Sequence, residues 1–173
     1  RAACKKVLSK RGRAEDLLKL SCHANSSISI HGIRSILQTG ERTGWTPDVV
    51  AIDYADILAP ISGIVESRDQ VNATWKGMRA LSQAMHCLVV TATQTDAASY
   101  KANTVDRSHF SEDKRKLAHV TGMVGINSSD TEKKNGLMRL NWVVLRESGF
   151  DTGTCVHVAG CLGLANPAVL STF

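Results

Sequence analysis

The stretch PDVVAIDYADILAP, residues 47–60, decides the fold class. Its apolar run, residues 49–52, is mostly β-branched and does not alternate with polar residues, which is typical of a central parallel strand buried on both faces. Asp53 follows this run directly, at the end of the strand where open α/β sheets bind ligands. A carboxylate at this position suits a Mg²⁺ site, and the alternative is a strand-end Asp that caps a loop.

The segment that follows completes a β-α-β unit. Residues 69–85 place apolar side chains at helical spacing, and CLVVTATQ, residues 87–94, predicts a second buried strand. Because such units normally cross over right-handed, the two strands should be parallel and should end at the same edge. Gln94 would then lie at the same edge as Asp53, although a strand-terminal Gln is often only a solvated end.

Further segments extend this unit in both directions. They are a strand at residues 17–22, a helix within residues 32–42, a long loop at 95–116 with a helical start near SEDKRK, a strand at 119–126, and a hairpin formed by residues 138–146 and 154–160. We therefore predict one α/β domain over residues 1–173, with a mostly parallel sheet flanked by helices and an antiparallel hairpin at the carboxyl-terminal end.

Composition places few limits on the partners. The formal charge is +5, but residues 1–19 contain seven Lys or Arg and two Asp or Glu, so the remaining 154 residues are balanced. The five cysteines form no CxxC pair, and none of the six histidines has metal-ligand spacing to another His or Cys, which favours free thiols in a reducing compartment. Without a signal peptide or a long apolar stretch, we expect a cytoplasmic protein with no membrane partner.

Three segments resemble, in order and spacing, the RecA-like ATPase domain of DnaB-type replicative DNA helicases, especially phage-like members. They are PDVVAIDYADILAP, VNATWKGMRALSQAMHCLVVTATQTD and FSEDKRKLAHVTGMVGI, and LLKLSCHANSSISIHGIRSIL also looks like the elements that precede Walker B in that family. The resemblance covers roughly residues 15–168, which is nearly the whole chain.

This resemblance implies roles for three residues. Asp53 would be the Walker B Asp that is associated with Mg²⁺ and ATP, and Gln94 would sense the γ-phosphate and link it to the DNA-binding loops. Arg146 would be an arginine finger that reaches the ATP of a neighbouring subunit, with an ordinary surface Arg as the alternative. The family commonly has a Lys two residues before this Arg, and here that position is Val144. The implied partners are single-stranded DNA and further copies of the chain in a hexameric ring.

The loops after the strands would contact the DNA phosphates through their cations. The candidates are Arg68, Lys101, Arg107, Lys114, Arg115 and Lys116. Acidic residues 106, 112 and 113 lie among them, so a merely solvated loop is an equal alternative for each cation. Tyr100, His109 and Phe110 could stack on bases, although Phe110 could equally pack in the core.

The phosphate-binding motif GxxxxGK[ST] does not occur in this sequence. We therefore expect a partial RecA-like domain without the P-loop half, which fits a truncated or incomplete gene product and which alone neither binds ATP tightly nor hydrolyses it. Two alternatives stay open: a non-catalytic DNA-binding or assembly module of RecA-like fold, and a RecA-like recombinase or loader ATPase.

Overall fold

The computed structural model describes residues 17–61, 63–64, 66–110, 114–161 and 166–172. Within these ranges the chain forms four helices, α1 to α4, six strands, β1 to β6, and three short 3-10 turns. In chain order they are α1 (Ile30–Arg42), β1 (Val49–Ile52), a turn (Ala55–Ile57), α2 (Ser67–Met85), β2 (Leu88–Thr91), turns (Ala97–Lys101 and Arg107–Phe110), α3 (Arg115–His119), β3 (Gly122–Asn127), α4 (Asp130–Lys134), β4 (Leu137–Leu145), β5 (Cys155–Cys161) and β6 (Asn166–Thr172).

Strands β1 and β2 form a parallel pair, as the β-α-β pattern predicts. Their register runs from Val49 opposite Leu88 to Ile52 opposite Thr91, so the two strands end level with each other. Helix α2 connects them, and it ends at His86, whose left-handed backbone (φ 49°) turns the chain into β2. The predicted unit is therefore confirmed.

Only one face of this parallel pair is covered in the described part of the chain. The core cluster combines residues of both long helices, Ile30, Leu37, Trp75, Met78 and Leu81, and β1 and β2 pack Val50, Ile52 and Val89 against it. On the opposite face Val49, Leu88 and Val90 are 54%, 58% and 47% exposed. The expectation of burial on both faces is wrong for these residues, because α1 and α2 contribute to the same apolar cluster on one side.

The remaining strands form a separate antiparallel sheet in the order β3-β4-β5-β6. The predicted hairpin is its β4–β5 pair, with Leu137 opposite Ala159. The strand predicted at residues 119–126 occurs at Gly122–Asn127 and pairs with β4, and β6 was not predicted. The predicted α/β class is confirmed, but the sheet is not mostly parallel in the described part of the chain, where four of the six strands form the antiparallel sheet.

Residues 18–24 have no regular secondary structure, so the strand predicted at 17–22 is wrong. Leu17, Leu18 and Leu20 are exposed, and no strand among the described residues pairs with them. An apolar run forms a strand only when a neighbouring strand accepts its backbone hydrogen bonds.

None of the helices in the described part of the chain has the length and apolar character that a membrane span requires.

Two buried asparagines fix the loop of residues 102–110 to the antiparallel sheet. Asn127 donates its side-chain amide to Asn141 Oδ1 at 2.8 Å and accepts the backbone N–H of Val105 at 2.6 Å. Asn141 in turn donates to the Val105 carbonyl at 2.9 Å. Since buried amide groups are costly to leave unpaired, this closed set of bonds specifies where the loop lies.

Helix α4 begins with a capping box. The Ser129 hydroxyl accepts the backbone N–H of Glu132, and the Glu132 carboxylate accepts the backbone N–H of Ser129. Both nitrogens Nε and Nη2 of Arg139 on β4 also donate to this carboxylate, at 2.7 and 3.2 Å. Hydrogen bonds to Glu132 lower its pKa to about 2; the bond from the Ser129 backbone amide has the largest effect and the bond from the Arg139 guanidinium the next largest. The side chain thus anchors α4 to the sheet in its ionised form.

Candidate functional site

Polar side chains follow both parallel strands at their carboxyl ends. Asp53 comes directly after Ile52, and Gln94 lies three residues after Thr91. Both residues are exposed, and the register of β1 and β2 places both at the same edge of the pair. The peptide bond after Asp53 is cis. This edge is where ligands bind in open α/β folds, and it has the arrangement that the sequence predicts.

A cleft of about 560 Å³ opens beyond this edge. Its wall is formed by the start of α2, the segment after β2, the second 3-10 turn of the loop and α3, and its residues include Arg68, Gln94, His109, Phe110 and Lys116. Asp53 is not among the residues that line it. The structure therefore brings Gln94 together with two of the predicted DNA-binding cations and leaves Asp53 outside the cleft.

The carboxylate of Asp56 organises the region between the two strand ends. Its Oδ1 accepts Lys116 Nζ at 2.9 Å, and its Oδ2 accepts the Thr93 hydroxyl at 2.6 Å and the backbone N–H of Gln94 at 3.3 Å. Lys116 Nζ also donates to Thr93 Oγ1 at 2.9 Å. We did not predict a role for Asp56 from the sequence, because its partners lie 37 to 60 residues away along the chain.

Helix α3 is held by side chains along its whole length. Arg115 Nη1 donates to Asp69 Oδ1 at 2.7 Å, and His119 Nε2 lies 2.8 Å from Asn72 Oδ1, so two contacts join α3 to α2. At the end of α3, the Arg146 guanidinium donates to the carbonyls of residues 117, 118 and 120 at 3.3, 2.7 and 2.6 Å. A cation at a helix carboxyl terminus satisfies carbonyls that lack intrahelical partners.

The predicted arginine finger thus has a structural contact in this chain. Arg146 lies one residue beyond the end of β4, whereas the sequence predicts a strand that includes it, and its backbone N–H donates to the Thr121 carbonyl at 3.0 Å. For the guanidinium to reach a neighbouring subunit, its three bonds to the end of α3 would have to break. The finger role stays a prediction.

The six predicted DNA-binding cations divide into three groups. Arg107, Arg115 and Lys116 are engaged within the chain: Arg107 Nε donates to the Val143 carbonyl at 3.1 Å, and the other two bind Asp69 and Asp56. Arg68 and Lys114 are exposed and form no ion pair with the described residues. Lys101 ends a 3-10 turn, and its side chain lies outside the described part of the structure.

The three aromatic candidates for base stacking also differ from one another. Phe110 is buried in a cluster with Val143 and Val144, so it packs in the core. His109 lies in the cleft and is half-buried beside Asp106. Hydrogen bonds from the Ser108 hydroxyl and backbone amide lower the pKa of the Asp106 carboxyl, which therefore stays ionised at lower pH than an ordinary Asp. Tyr100 is 88% exposed and is the aromatic ring that a base could reach.

Asp53 has the chemistry that a nucleotide-bound Mg²⁺ requires. Its carboxylate is exposed at the strand end, and Mg²⁺ commonly takes one or two protein carboxylates together with waters and phosphate oxygens. No cluster of three or more His, Cys, Asp or Glu occurs among the described residues. Among the described residues, the side chains present therefore do not form an all-protein metal cage, and Asp53 would supply one carboxylate ligand to a Mg²⁺ whose other ligands come from elsewhere.

The level parallel strand ends, the β-α-β connection and the antiparallel sheet form a mixed α/β fold, and its likeness to solved structures shows which fold type it is. The chain superposes on the ATPase domain of G40P with a TM-score of 0.69 and 15% identity, over 80% of this chain and 50% of that one. It also superposes on a DnaB-like replicative helicase, described together with its interactions with primase, with a TM-score of 0.66 and 15% identity, over 77% of this chain and 34% of that one.

These likenesses confirm the predicted resemblance at the level of the fold: the structural neighbours are ATPase domains of DnaB-like replicative helicases. The chain spans half the length of the first and about a third of the second. No protein-family model matches this sequence, and no curated protein matches it.

Proposed function

We propose that this chain is the part of an ATP-dependent replicative DNA helicase motor that carries the Walker B carboxylate, the γ-phosphate sensor and DNA-contacting loops. The observation that carries the proposal is the level, parallel ending of β1 and β2, with Asp53 and Gln94 at one edge. A motor must connect ATP hydrolysis to movement on DNA. Gln94, the proposed phosphate sensor, and Arg68, a proposed DNA contact, line the same cleft, which brings the two functions close together.

Each polar residue at the edge has a distinct role in this proposal. Asp53 would hold the Mg²⁺ that neutralises the β- and γ-phosphates of ATP. Gln94, exposed beside the cleft, would hydrogen-bond the γ-phosphate and report its loss through the segment that follows β2. Arg146 would serve a neighbouring subunit of a hexameric ring. The nucleotide phosphates would also need a cradle of backbone amides, which this sequence does not supply through a P-loop.

Arg68 and Lys114 are the cations that we propose for DNA contact. Both are exposed and form no ion pair with the described residues, so a phosphate would not have to displace a carboxylate. Arg115 and Lys116, in contrast, bind Asp69 and Asp56. An ion pair that already exists must be broken before its cation can bind DNA, which reduces the net gain.

Single-strand binding tests this part of the proposal. The fluorescence anisotropy of a labelled oligothymidylate should report binding by the chain, and Arg68→Ala should weaken it about three- to tenfold. Each lost phosphate contact should also lower the slope of log affinity against log salt by about 0.7. Lys76→Ala is the matched control, because Lys76 is exposed on the same helix, about 12 Å along its axis from Arg68. Equal losses for the two variants would contradict a specific role for Arg68.

ATP hydrolysis tests the part of the proposal that concerns the nucleotide site. We expect no magnesium-dependent ATP hydrolysis above background by this polypeptide, because Asp53 and Gln94 act on phosphates that a P-loop would hold. Turnover that disappears in Asp53→Ala would contradict that expectation and would show that another group binds the phosphates. A non-catalytic DNA-binding module is the second candidate. It is favoured if oligonucleotide affinity is unchanged in Asp53→Ala and Gln94→Ala and if a reading frame extended upstream contains no P-loop.

A further inference from the structure

The Asp56 carboxylate joins three parts of the chain that the sequence keeps far apart. Asp56 lies in the turn after β1, Thr93 and Gln94 lie in the segment after β2, and Lys116 lies on α3. All of the donors, namely the ammonium, the hydroxyl and the backbone amide, converge on one side chain. A carboxylate that accepts several charge-assisted or short bonds fixes its partners relative to one another.

The Asp56–Lys116 ion pair is less exposed to solvent than the ion pair that Arg115 forms with Asp69. The side chains of Lys116 and Asp56 are 13% and 22% exposed, and Lys116 Nζ lies 5.9 Å from the centre of the Trp75 ring. In comparison, the Arg115–Asp69 pair on the same helix is 39% and 54% exposed. Water competes less for the Asp56 bonds, so Asp56 should contribute more to local order than Asp69 does.

We propose that Asp56 is a positioning residue that holds the Gln94 segment against α3, so that a displacement of α3 is transmitted to Gln94. The Asp56 Oδ2 atom contacts the Gln94 backbone directly, while Oδ1 binds the cation that α3 contributes. Helix α3 directly follows Lys114, a proposed DNA contact. This inference rests on the proposed function in one respect: it makes the Asp56 cluster the connection between the DNA-contacting loop and the phosphate sensor.

Amide hydrogen exchange of the ¹⁵N-labelled chain tests the positioning role. Asp56→Ala should accelerate exchange of the Gln94 backbone amide about tenfold and shift its resonance, because the amide loses its acceptor. Asp69→Ala is the matched control: it removes the ion pair that Arg115 of α3 forms with Asp69 and should leave Gln94 exchange unchanged. Asp56→Asn, which keeps the size and one acceptor oxygen, should restore part of the protection and also serves if the alanine variant does not fold. Equal Gln94 exchange in wild type and both Asp56 variants would overturn the proposal.

Titration with oligothymidylate separates this inference from the proposed function. In the wild type, DNA should shift the resonances of residues 114–116 and of Gln94 together, and in Asp56→Ala the shift should be confined to residues 114–116. Shifts of Gln94 that persist in Asp56→Ala would show that the connection does not pass through Asp56. If DNA shifts no resonance, the DNA-binding function fails, while the exchange measurement still decides whether Asp56 positions Gln94.

Discussion

The substitution Gly125→Ala tests how the 102–110 loop is fixed to the antiparallel sheet. A Cβ atom at residue 125 would lie 2.6 Å from Asn141 Oδ1, 3.2 Å from Val143 Cγ2 and 3.3 Å from Val105 Cβ. The first of these distances requires a shift of the Asn141 side chain. That side chain cannot move alone, because it accepts a hydrogen bond from Asn127 and donates one to the Val105 carbonyl.

The expected destabilisation follows from two costs and one gain. Overpacking a filled core costs about 1 to 3 kcal/mol, and a buried amide left without its partner costs about 1 to 3 kcal/mol. Replacing glycine reduces the conformational freedom of the unfolded chain, which offsets about 0.4 to 1 kcal/mol. The free energy of unfolding should therefore fall by roughly 1 to 5.6 kcal/mol, which for a chain of this length lowers the midpoint of thermal unfolding by roughly 2 to 22 °C.

Urea unfolding followed by circular dichroism measures this loss, and Gly149→Ala supplies the control. Gly149 lies in the β4–β5 connection with nothing within 4 Å of its added Cβ, so its substitution should change stability by less than about 0.5 kcal/mol. The backbone amide of Val105, which donates to Asn127 Oδ1, should also exchange faster in Gly125→Ala. A variant as stable as the wild type, with a protected Val105 amide, would refute the assignment of Asn127 and Asn141 as the fixed link.

Three further predictions concern stability and reactivity. The pKa of Glu132 is about 2 in the folded chain and 4.5 ordinarily, so its ionised form stabilises the fold fully above pH 4.5, and this stabilisation is lost as the pH falls toward 2. The urea midpoint of Glu132→Gln should therefore be lower than that of wild type at pH 7. The two midpoints should converge as the pH falls from 4.5 toward 2. Leu81→Ala should cost about 2 to 5 kcal/mol of unfolding free energy, because Leu81 is 2% exposed, whereas Leu88→Ala, at a 58% exposed position, should cost far less. Burial raises the pKa of the Cys87 thiol, so mass spectrometry should find that Cys87 reacts with iodoacetamide more slowly at pH 7.5 than the exposed Cys22 does.

The elements that sequence patterns predict well are those that local periodicity defines. Helix α2 begins within two residues of its predicted start, because its apolar spacing and the helix are both local properties. Strand β1 is also as predicted, and β2 occurs where predicted but ends at Thr91, three residues before its predicted end. Residues 17–22 show the limit of this reasoning: an apolar run resembles a strand whether or not another strand is present to pair with it. The β3–β4 pairing was missed for the same reason, since pairing partners are not local information.

For the candidate site, too, the sequence predicts local features but not contacts between residues that are distant along the chain. The end of β1 and the exposed Asp53 that follows it could be located from the sequence, whereas β2 ends three residues before Gln94, its predicted last residue. Which cations form ion pairs within the chain could not be predicted from the sequence, because the carboxylate partners of Lys116 and Arg115 lie 60 and 46 residues away along the chain. In the sequence all six cations look equivalent, and only the three-dimensional contacts separate those engaged within the chain from those available to a ligand.

Helix α3 has only five residues, too few to be stable without tertiary contacts. Its position therefore depends on the side chains that hold it, and two of these, Arg115 and Lys116, are also cations expected to bind DNA. Replacing either would remove a contact of α3 as well as a charge, so a loss of DNA affinity in such a variant would have two possible causes. Arg68 and Lys114 do not have this double role among the described residues. Reduced affinity in Arg68→Ala with unchanged Gln94 exchange would therefore identify a direct phosphate contact, whereas Lys116→Ala should reduce affinity and accelerate Gln94 exchange together.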